Sequence, residues 1–428
     1  MREDGAVTLE PSAAAGSGQV ASYERMWRDL ETVGRDPRTG GYRRFVWNDA
    51  DLNLREWFAG EASARGFEVV EDANGNQFAW RESDAAAGTG TRGNALLLGS
   101  HLDSVPDGGA FDGPLGVVSS FAALDLLDAE DWHQSRPLVI ASFADEEGAR
   151  FGIACAGSRL LTGSLSPDKA LALRDRDGLS MAEVLRGLGR DPERIGAQPE
   201  ILARVGTFVE LHVEQGRALV DADAPVGVAS AIWPHGRYRF DFTGEANHAG
   251  TTLMEDRRDP MLTYAMTALA ANKQARVSQT RATFGRMQIE PNGTNAVPSL
   301  VRAWLDARAG AEEQLDALVE RITTQATERA ERDGTTVTVT PESVSQAVHF
   351  DETLRDDLAS TLGGVPILAT GAGHDAGVLS QHGIPTAMLF VRNPTGVSHS
   401  PHEFAEQDDC VEGVRALAGV IRHLAGAR

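Results

Sequence analysis

The sequence predicts an α/β protein in which a mixed-sheet domain is interrupted by an inserted, ferredoxin-like α+β domain. Three observations predict this fold: helical and strand-like patterns alternate from about residue 22, four short runs are almost wholly apolar, and residues 229–344 follow a different pattern. Such apolar runs are typical of central strands that helices cover on both faces, because neither side of the strand meets water.

The first part of the chain is predicted to contain two helices and a hairpin ahead of the apolar strands. SYERMWRDLETVG and ADLNLREWFAGEASARG have helical patterns. FEVVEDANGNQFAWR predicts a hairpin with Asn74-Gly75 at its turn, since this dipeptide accepts positive φ angles. DAAAGTGTRG is predicted to be a flexible surface loop. The four apolar runs, interpreted as central strands, are ALLLGS, PLVIASFA, TFVELHV and IPTAMLFV.

Residues 229–344 predict a separate inserted domain. RYRFDFTGE alternates like a half-exposed strand, and it is followed in order by a long helix, two more strands, a second helix and a final strand. The order β-α-β-β-α-β is that of a compact sandwich with two helices on one face of a sheet. The chain then returns to the first domain for residues 345–428 and ends in the helical pattern DDCVEGVRALAGVIRHLAG.

Composition and charge narrow the class of protein. The apolar content of 42% and charged content of 24% are typical of a soluble globular protein. The net charge of −22 disfavours nucleic acid and anionic membranes as partners, because like charges repel. Two cysteines and no Cys-x-x-Cys pair fit a reducing, cytoplasmic setting. No stretch approaches the roughly 18 apolar residues of a membrane span.

The N-terminal residues 1–20 are expected to form a disordered tail. They are rich in Ala, Gly and Ser and include acidic residues, but they contain no apolar core like that of a signal peptide. We therefore place the first folded domain at residues 21–228 and 345–428.

Side chains of the types that can bind metals follow each of the four apolar strands. In an open α/β sheet, ligands bind beyond the carboxyl ends of the strands. A single group of this kind is equally well explained as a polar surface turn, but four together predict a metal site. The four groups are His101, Asp103 and Asp112; Asp145, Glu146 and Glu147; His212, Glu214 and Gln215; and His399, His402 and Glu403.

The residue types indicate which metals would bind. Imidazole and carboxylate without thiolate suit Zn²⁺, Mn²⁺, Co²⁺ or Ni²⁺. The candidates exceed what one ion needs, so we expect two divalent ions per chain that share a carboxylate. Such a pair activates water near neutral pH and polarises a carbonyl group, and a spare carboxylate beside the ligands is the natural general base.

Several motifs, taken in order, resemble the M20 metallopeptidase superfamily. Within it they resemble the branch of allantoate amidohydrolases, N-carbamoyl-L-amino-acid hydrolases and β-ureidopropionases, over nearly the whole chain from about residue 22. The motifs are GSHLDSVPDGGAFDGPLG, FADEEGARFG, GSRLLTG, ELHVEQG, GEANHAGTT, MEDRRDP, PNGTNAVP, GAGHDA and GVSHSPHEF. The resemblance implies a metallopeptidase-like catalytic domain, a lid and dimerisation domain at residues 229–344, and hydrolysis of a carbamoyl or ureido C–N bond.

The resemblance also implies roles for residues of the metal site. His101 and His212 are expected to bind different ions, with Asp112 bridging them. Glu147 and His399 are expected to complete the two sites. The implied general base is Glu146, and the implied role of Asp103 is to orient His101. An imidazole that binds a metal usually donates its other N–H to a carboxylate.

The substrate side of the predicted site involves the inserted domain. His248 in GEANHAGTT matches the family histidine that stabilises the oxyanion, often from the neighbouring subunit of a dimer; the alternative is a surface histidine in a polar turn. Asn295 and Arg308 resemble a clamp for a substrate carboxylate, although a strand-end salt bridge is the ordinary alternative for Arg308. The Gln215 amide can both donate and accept, so it suits a ureido group.

The chain departs from the family pattern at one position, and its residues are compatible with two rival functions. The family usually has proline where this chain has Leu253, which puts the geometry of the lid loop in doubt. The rival functions are a dipeptidase or aminoacylase of the same fold, against which ELHVEQG argues, and a metal-binding protein without catalysis. A dimeric scaffold built through the inserted domain is compatible with the enzyme.

Overall fold

The structure is a computed structural model that describes residues 16–83 and 93–426. They form two compact units. One runs to Ser230 and resumes at His349, and the other comprises Ala231–Val348.

The first stretch of the chain alternates helices and strands. These elements are α1 (Gly16–Leu30), α2 (Asp49–Ala64), β1 (Glu68–Glu71), β2 (Gln77–Arg81), β3 (Ala95–His101), α3 (Pro114–Ala129), β4 (Leu138–Phe143), α4 (Ala156–Thr162), α5 (Pro167–Ala172), α6 (Met181–Gly187), α7 (Pro199–Leu202), β5 (Val205–Val213), α8 (Ala218–Asp221) and β6 (Val226–Ile232).

The middle stretch contains two long helices among strands. Its elements are β7 (His235–Thr243), β8 (Asn247–His248), α9 (Pro260–Ser278), β9 (Arg281–Glu290), β10 (Ala296–Val297), β11 (Leu300–Arg308), α10 (Glu312–Asp333), β12 (Thr336–Ser345) and β13 (Val348–His349). The last stretch contains α11 (Glu352–Thr361), β14 (Ile367–Thr370), α12 (Asp375–Gln381), β15 (Thr386–Val391) and α13 (Gln407–Ala425).

The first unit is built on a mixed sheet with the strand order β1-β2-β4-β3-β5-β15-β6-β13, and β14 pairs with β6. The four apolar runs form the neighbouring strands β4, β3, β5 and β15, which are mutually parallel. Every residue of β3, β4 and β15 is buried, and α1, α3 and α13 share a core with the sheet. The predicted mixed α/β fold is confirmed.

The predicted hairpin is also present. Strands β1 and β2 pair antiparallel with Glu71 opposite Gln77, so the turn contains Asn74 and Gly75. Gly75 has a φ of 93°, a conformation that glycine adopts without a Cβ clash. Of the predicted loop DAAAGTGTRG, residues 84–92 lie outside the described part of the chain.

The expected tail needs a correction at its end. Residues 1–15 lie outside the described part of the chain, but α1 begins at Gly16, so residues 16–20 are helical. The apolar pattern that revealed the helix comes from buried side chains that include Tyr23, Met26 and Leu30. Because GSGQV contains no proline, nothing prevents the backbone hydrogen bonds of the helix from extending ahead of Tyr23.

The second unit has the β-α-β-β-α-β order over its long elements, in an antiparallel sheet of order β12-β7-β11-β9. Alternate residues of β7 and β11, such as Phe240 and Leu305, point to one face and pack against α9 and α10. The edge strand β9 is mostly exposed.

Two further features concern the helices and the cysteines. Within residues 16–83 and 93–426, no helix is both long enough and apolar enough to cross a membrane. The two cysteines are free and buried.

Candidate metal centre

The sheet topology brings the predicted ligands to one edge. Because β4, β3, β5 and β15 are neighbouring and parallel, their carboxyl ends meet at that edge. His101 is the last residue of β3, His212 lies near the end of β5, and Glu147 and His399 follow β4 and β15. The loop after β3 adds Asp112 just before α3.

The first donor group consists of two imidazoles facing one carboxylate oxygen. Oδ1 of Asp112 lies 3.2 Å from Nε2 of His212 and 3.6 Å from Nε2 of His101. The two rings stack with centroids 5.8 Å apart, and all three residues are buried. These donor atoms are close enough together to hold one metal ion.

The second donor group uses the other oxygen of the same carboxylate. Nε2 of His399 lies 3.5 Å from Oδ2 of Asp112 and 3.4 Å from Oε2 of Glu147. Asp112 therefore belongs to both groups and offers one oxygen to each.

The expectation that His101 and His212 serve different ions needs correction. Both imidazoles belong to the first group, and Glu147 and His399 form the second with Asp112. The reason is the strand order, since β3 and β5 are direct neighbours and their terminal side chains meet over the same point.

The residues of both groups fit divalent cations. Nε2 of His101, Nε2 of His212 and Oε1 of Glu147 are buried, and they find no hydrogen-bond partner among the residues that the structure describes. Burial opposes ionisation of Asp112, but the contacts with His101 and His212 outweigh it and hold its pKa well below the usual range. Buried carboxylates that depend on neighbouring positive charge, beside unpartnered imidazole nitrogens, are what a cation site requires.

Asp103 has a wider role than the one expected. Its Oδ1 lies 3.5 Å from Nδ1 of His101, and its backbone carbonyl oxygen is closer, at 3.2 Å. The same carboxylate accepts hydrogen bonds of 3.1 Å from the backbone N–H groups of Glu146 and Glu147. Asp103 thus contacts the His101 ring and holds the backbone of the loop that carries the predicted base.

Glu146 lies beside the two donor groups and belongs to neither. It is buried, and its Oε2 is 3.7 Å from Nε2 of His101. Burial raises its pKa well above the usual range, and the neighbouring carboxylates of Asp375 and Glu147 add to this effect. Glu146 is thus a buried carboxylate at the site that neither donor group uses.

The loop that carries Asp112 is held by residues whose role the sequence did not reveal. Oε1 of Glu403 accepts hydrogen bonds from the backbone N–H groups of Phe111 and Asp112, at 2.9 and 3.0 Å. Gln215, the predicted substrate contact, donates from Nε2 to Oδ2 of Asp112 at 2.9 Å. Gly113 has a φ of 85°, and a Cβ there would lie 2.4 Å from the His101 ring.

A second layer of polar residues lies beneath the imidazoles. The centroids of the His374 and His212 rings are 4.5 Å apart. Glu210, two residues before His212 in the buried strand β5, accepts hydrogen bonds from the Ser100 hydroxyl and the Ala376 N–H. Glu210 escaped notice in the sequence, although a carboxylate inside an apolar strand is itself a signal.

The second unit brings His248 and Asn295 together. His248 pairs with Ala296 in the short ladder of β8 and β10, and the N–H of Ala249 donates to the carbonyl oxygen of Asn295 at 3.0 Å. The Nδ1 atom of His248 accepts backbone hydrogen bonds from Gly250 and Thr251 at 3.0 and 3.2 Å. In a neutral ring this places the proton on Nε2, which is left as a donor.

Arg308 lies at the opposite end of β11 from this pair. The nine-residue strand spans about 27 Å, because each antiparallel residue advances about 3.4 Å. One copy of the chain therefore does not bring Arg308 and Asn295 together. Arg308 forms a two-point ion pair with Asp306, at 2.8 and 3.1 Å, as the strand-end alternative predicted.

Leu253 stands where the family usually has proline, and its backbone still adopts the conformation that proline would impose. Leu253 has φ and ψ angles of −60° and 151° and a largely exposed side chain.

Comparisons with known proteins agree with this geometry. Residues 97–423 match the peptidase family M20/M25/M40. The chain is 35% identical over 410 residues to the N-carbamoyl-L-amino acid amidohydrolase of Geobacillus stearothermophilus, covering 94% of this chain and 98% of that protein. It is 31% identical to the allantoate amidohydrolase of Escherichia coli, covering 92% and 96%.

Solved structures show the same relationship. A hydantoinase/carbamoylase family amidase from Burkholderia ambifaria superposes with a TM-score of 0.79 at 30% identity, covering 95% of this chain and 98% of that one. The chain therefore belongs to the peptidase family M20/M25/M40, in the branch that includes the allantoate and N-carbamoyl-L-amino-acid amidohydrolases.

Proposed function

We propose that the protein is a metal-dependent amidohydrolase that cleaves the C–N bond of a carbamoyl or ureido group in a small carboxylate. The substrate is allantoate or an N-carbamoyl-L-amino acid, and the reaction releases ammonia, carbon dioxide and the remaining amine. The proposal is carried by the position of Asp112, which offers one oxygen to each of two donor groups. The carboxylate of Glu146 lies beside these groups and belongs to neither. The named relatives supply the substrate class.

Two divalent ions, Zn²⁺, Mn²⁺, Co²⁺ or Ni²⁺, would occupy the two donor groups. His101, Asp112 and His212 would hold one ion, and Asp112, Glu147 and His399 the other. When bound, such ions lower the pKa of water and polarise a carbonyl group.

Glu146 acts as the general base and then as the general acid. Its carboxylate accepts a proton from the attacking water and passes it to the departing nitrogen. The support is geometric, since Glu146 belongs to neither donor group yet its Oε2 faces His101. Asp103 fixes the backbone of Glu146 and keeps this direction constant.

His248 donates to the oxyanion that forms on the carbonyl oxygen. Two backbone N–H groups occupy its Nδ1, so its Nε2–H is the available donor. A donor aimed at developing negative charge is among the strongest contributions to catalysis. Asn295 and Arg308 bind the substrate carboxylate, and Asn295 lies next to His248. Gln215 lies beside Asp112, where it reaches the ureido group.

The enzyme is proposed to work as a homodimer through its inserted domain. Because about 27 Å of strand separates Arg308 from the end of β11 near Asn295, the two residues meet at one carboxylate only if they come from different copies. An exposed apolar face on helix α9 supports a dimer contact through the inserted domain. That face consists of Leu262, Met266, Leu269 and Val277, which are 47%, 44%, 67% and 70% exposed.

Two free cysteines support a cytoplasmic setting.

The proposal is tested by measuring ammonia release from Mn²⁺- or Zn²⁺-loaded protein. The substrates are allantoate and a panel of N-carbamoyl-L-amino acids, with dipeptides as controls. Ammonia from allantoate alone identifies an allantoate amidohydrolase, and ammonia from the carbamoyl compounds identifies a carbamoylase. Dipeptide cleavage without ammonia would overturn the proposal in favour of a peptidase. Bound metal without any turnover would favour a non-catalytic protein.

A further inference from the structure

The loop that carries Glu146 is closed at its base by a short backbone ladder. The N–H groups of Gly157, Ala156 and Cys155 donate to the carbonyl oxygens of Ala144, Asp145 and Glu146, at 2.9, 3.0 and 2.5 Å. Residues 147–154 therefore form a closed loop, and Cys155 is fixed directly opposite Glu146.

The side chain of Asn76 fixes this ladder from outside. Its Oδ1 accepts from the N–H of Ala144 at 3.0 Å, and its Nδ2 donates to the carbonyl oxygen of Gly157 at 3.1 Å. Asn76 is fully buried and is held in turn by the carboxylate of Asp72. The backbone positions of Glu146 and Cys155 are thus set by the fold.

The thiol of Cys155 faces the carboxylate of Glu146. Sγ lies 3.3 Å from Oε1, which is within hydrogen-bond distance for sulfur, and both side chains are buried. Burial raises the pKa of Cys155 well above its usual range, and the nearby Glu146 carboxylate raises it further. The proton therefore stays on sulfur, and the thiol is the donor.

The two oxygens of Glu146 consequently have different surroundings. Oε1 faces the Cys155 thiol, and Oε2 faces Nε2 of His101 at 3.7 Å. We propose that Cys155 is a positioning residue: its thiol holds Oε1 and thereby keeps Oε2 directed at the donor groups as the oxygen that exchanges the proton. This inference rests on the proposed function, because it assigns a task to Glu146 as the base.

Cys410 provides a matched comparison. It is also free and buried, but it contacts Tyr23 and belongs to the core that α13 shares with the sheet. If Cys155 only fills space, alanine at either position should have similar consequences. If Cys155 positions Glu146, only its replacement should slow turnover.

The test compares Cys155→Ala, Cys155→Ser and Cys410→Ala with the wild-type protein. For each Mn²⁺-loaded protein we would measure kcat and KM for ammonia release, bound metal per chain and Tm. We expect Cys155→Ala to lower kcat about tenfold, with KM and metal content unchanged. A tenfold loss of kcat corresponds to an increase of about 1.4 kcal/mol in the activation free energy. Cys155→Ser should recover most of kcat, because a hydroxyl also donates. Cys410→Ala should keep wild-type kcat.

Infrared spectroscopy provides a second readout that does not depend on turnover. The S–H stretching band of Cys155, assigned by its loss in Cys155→Ser, should shift in Glu146→Gln, and the Cys410 band should not. Wild-type kcat in Cys155→Ala, kcat in Cys155→Ser as low as in Cys155→Ala, or an unshifted Cys155 band would overturn the inference. A wild-type protein that releases no ammonia would instead contradict the proposed function, and any role for Cys155 in turnover would fall with it.

Discussion

The Nε2 atom of His212 lies 3.2 Å from Oδ1 of Asp112, and this contact joins the end of β5 to the loop after β3. His399 approaches the other oxygen of the same carboxylate at 3.5 Å. The whole candidate site is therefore organised around one aspartate, whose backbone N–H is held by Glu403.

Replacement of that aspartate should affect both donor groups at once. Asp112→Asn keeps the shape of the side chain but removes the charge and one acceptor oxygen. We expect bound metal to fall from two ions to fewer than one per chain, as measured by elemental analysis after gel filtration. Asp131→Asn, at a side chain that is 98% exposed, is the matched control and should retain both ions. Two ions in Asp112→Asn would contradict the bridging role.

Metal removal should destabilise the first unit. The carboxylates of Glu146 and Glu147 are buried close together, and burial and like charges raise the pKa of both. A cation that binds only the folded state stabilises it by about 2.7 kcal/mol when free metal is 100 times the Kd. Thermal unfolding should therefore show Tm rising with Mn²⁺ concentration and falling after chelation. A Tm independent of metal would show that the site does not bind the ion.

His248 should matter for turnover more than for binding. His248→Ala removes the Nε2–H donor, and losing one oxyanion donor typically costs about 10²–10³ in kcat. The side chain is exposed in the second unit, so water can replace the hydrogen bonds to its Nδ1 and Tm should change little. The control is His382→Ala, another exposed histidine, which should keep wild-type kcat. Wild-type kcat in His248→Ala would remove the residue from the account.

The exposed face of α9 should control the oligomeric state. Leu269→Glu places a charge in the proposed interface, where burying it without a partner is costly. Light scattering should then report a monomer, and ammonia release should fall along with the dimer. Leu179→Glu, at an exposed leucine of the first unit, should leave both unchanged. A fully active monomer would show that each copy holds a complete site.

The sequence was most informative about where the ligands would converge. Four apolar runs ending in His and carboxylates predicted one edge of a sheet, and the structure places His101, His212 and His399 there. That prediction needed only the rule that parallel strands end together.

The sequence could not reveal which ligands would share an ion. The sharing of ligands between the two donor groups depends on β3 and β5 being neighbours in the sheet. Strand order cannot be predicted from the local sequence pattern. The same limit applies to Glu403 and Gln215, which contact the Asp112 loop across 291 and 103 residues of chain. Contacts of such long range follow from tertiary packing, and no short motif encodes them.

The most direct test of the central claim compares Glu146→Gln with the wild-type protein for bound metal and ammonia release. Glutamine has the same shape but cannot accept and return a proton, and general acid–base catalysis contributes about 10²–10⁴ in rate. We expect Glu146→Gln to retain two ions per chain and the wild-type Tm while turnover of the best ureido substrate falls at least about 10²-fold. A Glu146→Gln protein with full metal content and wild-type turnover would contradict the assignment of the base and the mechanism built on it.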